Sequence, residues 1–316
     1  MGVSIEGDTA FGQGSGKELP ALAQNAVHQL GPGGVVGPRI DYRNPPGAAA
    51  LYAPDSIAWR VYKNPLTLLI GGITAVLLEL AEPRVRSGVW NHSIFRTDPL
   101  ARIRRTGIST LATIYAPADQ AERMIRNVGR MHSRVSGTTA DGVPYRADDV
   151  ALLDWVQATV DFGFMEAYAT YGGPLTDQER DAFYAESIVS ARLFGAVSKP
   201  TSLEEQKALM AAMLPRMEPH PIIGEFLQIV TTVKKLPTGL GWLQRMCVRA
   251  GISNLPPEVN AILGLGPKWQ IKGWERRLLK VLGWTLDRLP LSSLPPVQAC
   301  RRVGVDPRVL YGGRRR

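Results

Sequence analysis

The sequence predicts an all-α protein built as a single helical domain with a partly ordered N-terminal arm. Three observations carry that expectation. Apolar residues recur at helical spacing across most of residues 51–290. Two helix starts pair a capping Asn or Asp with a following proline, and no stretch alternates apolar and polar residues as a half-buried strand would. Of the 316 residues, 45% are hydrophobic and 21% charged, so a large core is within reach.

Residues 1–50 are rich in Gly, Pro, Asn and Gln and contain the loop Gly31–Pro32–Gly33–Gly34. Only a short helix around Leu19 to Leu30 is expected there, which makes the segment an arm. Asn64 and Pro65 open the first core helix, whose apolar run Leu66 to Leu80 stops at Pro83. That run includes Gly71, Gly72 and Thr74 and falls short of the roughly 20 residues a spanning helix needs, so it reads as a buried core helix.

Asp98 and Pro99 open the next helix, in which Leu100, Ile103, Gly107, Leu111 and Ile114 form one stripe ended by Pro117. Arg102 and Thr106, one turn apart, share an edge of that stripe. From Ala118 to Val135 the residues Ala121, Met124, Ile125, Val128, Met131 and Val135 face inward, with Arg123, Arg126, Arg130 and Arg134 opposite. His132 falls on the apolar face. A loop over 137–149 leads into a helix from Val150 to Tyr171, and Thr176 with Glu179 makes a capping box for a helix to Phe194.

Shorter helices are expected near Ser202–Met213, Ile222–Val233, Leu240–Ala250 and Pro256–Leu263. The C-terminal helix groups Ile271, Trp274, Leu278, Val281, Leu282, Leu286 and Leu289 on one face, packing Trp274 inward. Lys272, Arg276, Arg277, Lys280 and Arg288 lie mostly elsewhere. Residues 291–316 read as a basic tail, and no internal repeat of solenoid period is visible.

The 37 Lys and Arg against 28 Asp and Glu give a net charge of +9, which favours anionic partners such as phospholipid headgroups, nucleic acid or acidic metabolites. Trp242, Trp269, Trp274 and Trp284 fit core packing better than base stacking, so no nucleic-acid partner is expected. A basic C-terminal helix resting on an anionic membrane is the alternative. Cys247 and Cys300 are far apart without metal-ligand spacing, so neither a disulfide framework nor a zinc site is suggested. With no signal-peptide pattern at the start, a cytoplasmic location is expected, with or without membrane association.

Familiar chemistries are poorly represented. Gly12 to Lys17 looks superficially like a phosphate loop, but Glu18 stands where Ser or Thr is required. Neither a Gly-x-Ser-x-Gly elbow nor a metalloprotease histidine pair occurs. The four histidines are His28, His92, His132 and His220. His132 admits two readings, a core imidazole hydrogen-bonded to a neighbour or a ligand to something placed against that face. His92 precedes a helix cap and fits a hydrogen-bonding role, while His28 and His220 read as surface residues.

Several ordered blocks set these residues in a wider pattern: His92-Ser93-x-Phe95-x-x-Asp98-Pro99-x-x-Arg102-x-x-Arg105-Thr106, then His132-x-x-Val135-x-Gly137, Tyr145-Arg146-Ala147-x-Asp149 and Trp155-Val156. Pro174-Leu175, Tyr184-x-Glu186 and Gly195-x-x-x-x-Pro200 follow. Over about residues 52–290 the chain resembles the MpaB and rubber (latex-clearing) oxygenase catalytic-domain family. The resemblance implies a globin-like, haem-binding helical core over 51–290 and a b-type haem whose iron is held by His132. It also implies Arg102, Arg105 and Thr106 as catalytic residues near the open face of the iron, with Arg102 and Thr106 also binding the cofactor. A hydrophobic, unsaturated small molecule and dioxygen would be the substrates.

Departures from the family pattern leave a second reading open. Arg105 replaces a lysine, and a guanidinium stays protonated where an amine could act as a base. Glu82 and Gln157 stand where many members carry histidines, and the glutamate that rubber oxygenases use as a base has no assigned counterpart. A non-catalytic haem sensor or carrier on the same fold therefore stands beside the haem-dependent oxygenase.

Overall fold

The computed structural model of the chain describes residues 40–233 and 239–312. The expected helix at Leu19–Leu30, the glycine loops before residue 40 and His28 lie outside the described residues. Within them the protein is mostly helical, with one two-stranded hairpin.

The organising element is α2 (Pro65–Ala81), preceded by the short α1 (Ile57–Val61). Asn64 starts α2 as the sequence predicts: its Oδ1 accepts from Leu66 N at 3.1 Å, while its Nδ2 donates to the Gly283 carbonyl at 2.8 Å. Residues such as Leu66, Ile70, Leu77, Leu78 and Leu80 are buried all round the helix, which explains why its apolar run shows little amphipathic preference.

Against α2 lies α6 (Val150–Ala167), and the two meet at glycines. A Cβ on Gly71 would sit 2.8 Å from the Gly163 carbonyl oxygen, and one on Gly163 would sit 2.6 Å from that of Gly71. The crossing needs residues without side chains. Further along, Glu79 lies near Thr159, so the two helices run antiparallel.

Two further helices pack beside this pair. These are α4 (Pro99–Tyr115), capped by Asp98, and α5 (Ala118–His132). Between α2 and α4 the nine-residue α3 (Pro83–Asn91) starts on Glu82, whose carboxylate accepts from Val85 N at 2.8 Å. After α5 the expected loop contains β1 (Ser136–Thr138) paired antiparallel with β2 (Pro144–Arg146). Strands this short carry no readable alternation. Tyr145 anchors the hairpin, with its hydroxyl 3.1 Å from His92 Nε2 and its ring against Gly137. His92 thus has a structural bond.

The helix expected from Thr176 to Phe194 is broken into α7 (Asp177–Glu186) and α8 (Ile188–Phe194). Buried Ser187 stands at the break, bonded to Asp161 and to the Tyr184 carbonyl. After α9 (Leu203–Met213), α10 (Pro221–Thr232), begun by the His220 side chain, and α11 (Gly241–Ser253) cover the other flank, and the short α12 (Pro257–Ile262) follows.

The C-terminal helix α13 (Gly273–Leu286) corrects one expectation. Trp274 and Val281 are 57% and 61% exposed, and Trp284 is 54% exposed, whereas Glu275, Leu279 and Gly283 form the buried line. The reason is close packing. Gly283 meets the Tyr171 carbonyl so tightly that no side chain fits, and the Glu275 carboxylate is held inside by Arg249 Nε at 3.0 Å.

Residues 295–311, read as part of a basic tail, form α14 (Pro295–Arg302) and α15 (Pro307–Tyr311). Val297, Cys300 and Tyr311 join the core cluster that contains Trp59 and Tyr115. Arg302 is 3% exposed and donates to the carbonyls of Ala48, Tyr42 and Tyr115 at 2.8, 2.9 and 2.8 Å. Lys63 donates to the Leu310 carbonyl at 2.7 Å and pairs with Asp287 at 3.1 Å. Apolar residues there are few and separated by prolines and arginines, so periodicity does not reveal how firmly the segment docks.

Candidate functional site

A cavity of about 350 Å³ runs between α2, α4 and α6, closed by parts of α1, α5, α8 and α10. Its wall is mainly apolar, including Ile73, Val76, Ile103, Val156, Phe164 and Phe226, and its size suits an organic ligand or cofactor. Polar side chains concentrate at two ends. α4 contributes wall residues from Arg102 to Ile114, a span of about 18 Å at the helical rise.

At the N-terminal end of α4 the cavity gathers Glu79, Arg102, Thr106, His132 and Gln157. The Arg102 guanidinium donates to Thr106 Oγ1, and that hydroxyl donates to the Arg102 carbonyl at 3.0 Å. Thr110 and Thr113 bond back to their own helix in the same way, at 3.0 and 2.9 Å, which leaves their methyl groups for the wall. Burial lowers the Arg102 pKa, and the nearby Glu79 charge opposes that shift.

His132 is the last residue of α5 and the only one of the three described histidines that lines the cavity. Its Nδ1 is buried without a hydrogen-bond partner. Buried polar atoms are nearly always satisfied, so an orphan on a cavity wall marks a place for a ligand. Burial lowers the His132 pKa, the Arg102 charge lowers it further, and Asp148 opposes both. The imidazole is thereby biased toward the neutral form that binds a metal.

Glu79 is the site residue that sequence reasoning missed. Burial raises its pKa from 4.5 to about 7, with the Arg102 charge and a Thr159 hydrogen bond pulling the other way. Such a carboxyl can hold or accept a proton near neutrality. The signal was present: Glu79 is the one charged residue in the apolar run Leu66–Leu80.

The remaining expected residues are placed as follows. Arg105 is exposed and lies off the cavity wall, while Arg104 lies on it. Glu82 is spent as the α3 cap and is bonded to Arg84 Nε at 2.7 Å. Gln157 lines the cavity. His92 is occupied with Tyr145, and His220 accepts from Ile222 N at 3.2 Å.

At the other end stand Tyr52, Tyr62, Asp161, Ser187 and Ser190. Buried Lys199 lies behind them, donating to Asp161 Oδ2 at 2.6 Å, to the Tyr184 carbonyl at 3.1 Å and to Ser187 Oγ. All three ammonium protons are used, and the cation neutralises Asp161.

The residues at the first end fit a haem. Among the described residues no group of three or more His, Cys, Asp and Glu is arranged to hold a bare metal ion. A haem brings its own equatorial ligands and asks the protein for an axial imidazole, an apolar slot and cations for its propionates. His132 with its unpartnered Nδ1, the apolar wall, and Arg102 with Arg104 answer that description.

The family described as "ER-bound oxygenase mpaB/B'/Rubber oxygenase, catalytic domain" matches residues 59–288. This range contains every residue of the first end. No curated protein and no solved structure matches the chain.

Proposed function

The chain belongs to the mpaB/rubber oxygenase catalytic-domain family, and from that premise we propose a b-type haem-dependent oxygenase acting on a hydrophobic, unsaturated small molecule. The observation that carries the haem assignment is the buried, unpartnered Nδ1 of His132 on the wall of an apolar cavity. His132 would hold the haem iron, with Arg102 and Arg104 available to the propionates. When bound, the haem supplies activation of dioxygen.

The chain's own groups do the rest. The apolar wall excludes water and orients a hydrophobic substrate. The Arg102 guanidinium, steadied by Thr106, holds a fixed positive charge on the cavity wall. Glu79 stands ready to take a proton from the substrate, because its pKa of about 7 keeps both forms populated. Glu79 also supports catalysis over a non-catalytic haem carrier, since a carrier has no use for a titrating carboxyl in its pocket. Arg105, exposed and off the wall, is left to the rim and the solvent.

The exposed stripe of Trp274, Val281 and Trp284, interleaved with Arg277 and Arg288, supports peripheral seating on an anionic membrane surface. Among the described residues no single helix is long and apolar enough to cross a membrane.

The test is the visible absorption spectrum of protein expressed with added haem precursor, measured beside His132→Ala. A Soret band present in the wild type and lost or shifted in His132→Ala is the expected result. A folded but colourless wild type would overturn the haem reading, and an unchanged spectrum in His132→Ala would overturn the ligand assignment.

A further inference from the structure

The second end of the cavity contains more polar chemistry than packing requires. Asp161 Oδ2 is fully engaged, accepting from Ser187 Oγ at 2.6 Å and from Lys199 Nζ at 2.6 Å. That buried triad ties α6 to the α7–α8 break and accounts for one carboxylate oxygen. Oδ1 of the same carboxylate has no hydrogen-bond partner among the described residues, although Asp161 is 4% exposed and lines the cavity.

Tyr62 faces the same space. It is 4% exposed and lines the cavity, and its hydroxyl likewise has no partner among the described residues. Its ring packs on Phe164, with centroids 4.9 Å apart, and Phe164 lies one turn from Asp161 on α6. The Asp161 charge raises the pKa of both Tyr62 and Tyr52, after burial, the larger cause. The neighbouring Tyr52 hydroxyl is already bonded to Ser190 Oγ at 2.6 Å. One acceptor and one donor thus remain unused on two largely buried residues that line an apolar cavity, where a ligand can reach them.

We propose that Asp161 Oδ1 and Tyr62 Oη form a binding site for the neutral hydroxyl end group of an otherwise apolar ligand. A hydroxyl both donates and accepts, so it can satisfy the two groups at once. Lys199 has no free proton to offer and already balances Asp161, so the site has no net positive charge for a carboxylate. A carboxylate there would face Asp161 uncompensated, which sets the preference for an alcohol over an acid.

The position fits a substrate held at both ends. Tyr115, at the C-terminal end of α4, bonds the Trp59 carbonyl of α1 at 2.7 Å, so Ala58 and Tyr62 stand at the opposite end of α4 from Arg102. A hydroxyl anchored at Tyr62 and Asp161 would lay the apolar chain along the wall toward Glu79 and His132. The proposal rests on the reading of this cavity as the substrate site, and it names the substrate class as long-chain alcohols.

The test is equilibrium binding of dodecanol, its methyl ether and dodecanoate to the purified full chain, followed by intrinsic fluorescence without turnover. Dodecanol is expected to bind about tenfold more tightly than the ether, which cannot donate to Asp161, with dodecanoate weakest. Tyr62→Phe keeps the ring and should weaken dodecanol about fivefold relative to wild type. Asp161→Asn should narrow the gap between alcohol and acid. If Asp161→Asn fails to fold for want of a partner for Lys199, Tyr62→Phe still decides. Equal affinity for all three ligands, or a preference for dodecanoate, would overturn the site. A coloured protein that binds all three alike loses this proposal alone, and a colourless one that prefers dodecanol loses the haem reading alone.

Discussion

Gly71 and Gly163 face each other across the α2–α6 crossing so closely that a Cβ on either would meet the other's backbone oxygen within 2.8 Å. That contact sets how near the two cavity-forming helices lie, and so the width of the space between them. Backbone cannot swing aside as a long side chain can. We predict that Gly163→Ala destabilises the fold by about 3 kcal/mol, the upper part of the usual range for overpacking. Gly107→Ala is the control, since a Cβ there meets nothing within 4 Å. Denaturant midpoints would check both, and equal stability of the two variants would contradict the crossing.

The carboxyl of Glu79 gives a pH dependence with a defined sign. Below its ordinary value of 4.5, folded and unfolded chains both hold the proton. From there to about 7 the unfolded chain releases it while the folded chain keeps it, so stability falls as pH rises and then levels off. The fall expected from this one group is about 3 kcal/mol. Glu79→Gln should abolish it. The measurement is unfolding free energy of wild type and variant between pH 4.5 and 7.5, and a constant difference across that window would contradict the shift.

Much of this architecture was legible because its helices are amphipathic and their ends are punctuated. Asn64–Pro65, Asp98–Pro99 and the Thr176–Glu179 box each cap a helix where expected. What escaped were features set by tertiary contact. Ser187 interrupts a continuous helical pattern because Asp161 and Lys199, from distant stretches, bind its hydroxyl. Trp274 sits on a stripe with leucines in the helical wheel, yet the buried line is chosen by Gly283 against Tyr171 and Glu275 against Arg249. His132, Arg102 and Thr106, singled out by the family pattern, all line the cavity. Glu79 was not singled out, because its significance depends on the desolvation it meets between α2 and α6.

Arg102 couples the two titrating groups beside it. Its charge lowers the Glu79 pKa by attraction and the His132 pKa by repulsion. Removing the cation in Arg102→Met should therefore raise both, moving Glu79 above about 7 and His132 back toward 6.5. Arg102→Lys should leave both directions of shift in place. NMR titration of labelled glutamate and histidine in the haem-free chain would follow the two groups separately, and opposite movements would show that Arg102 is not their common neighbour.

The outward stripe of α13 yields a prediction about surfaces. Trp274, Val281 and Trp284 stay exposed, with Arg288 stacked 4.0 Å above the Trp284 ring. Seen down the helix, Trp274, Arg277, Val281, Trp284 and Arg288 fall on one side, since steps of three, four and seven return to the same face. Aromatic rings beside guanidinium groups suit the headgroup layer of an anionic bilayer, where the ring enters the interface and the cation meets phosphate. Each arginine should contribute about 1 kcal/mol of adsorption to phosphatidylserine-containing vesicles. The double variant Arg277→Gln, Arg288→Gln should thus bind roughly thirtyfold more weakly. Trp274→Ala with Trp284→Ala should also weaken binding while preserving its salt dependence, because the charges remain. Sedimentation with vesicles at low and high salt separates the two contributions. Equal sedimentation of wild type and both variants would mean that this face meets something other than lipid.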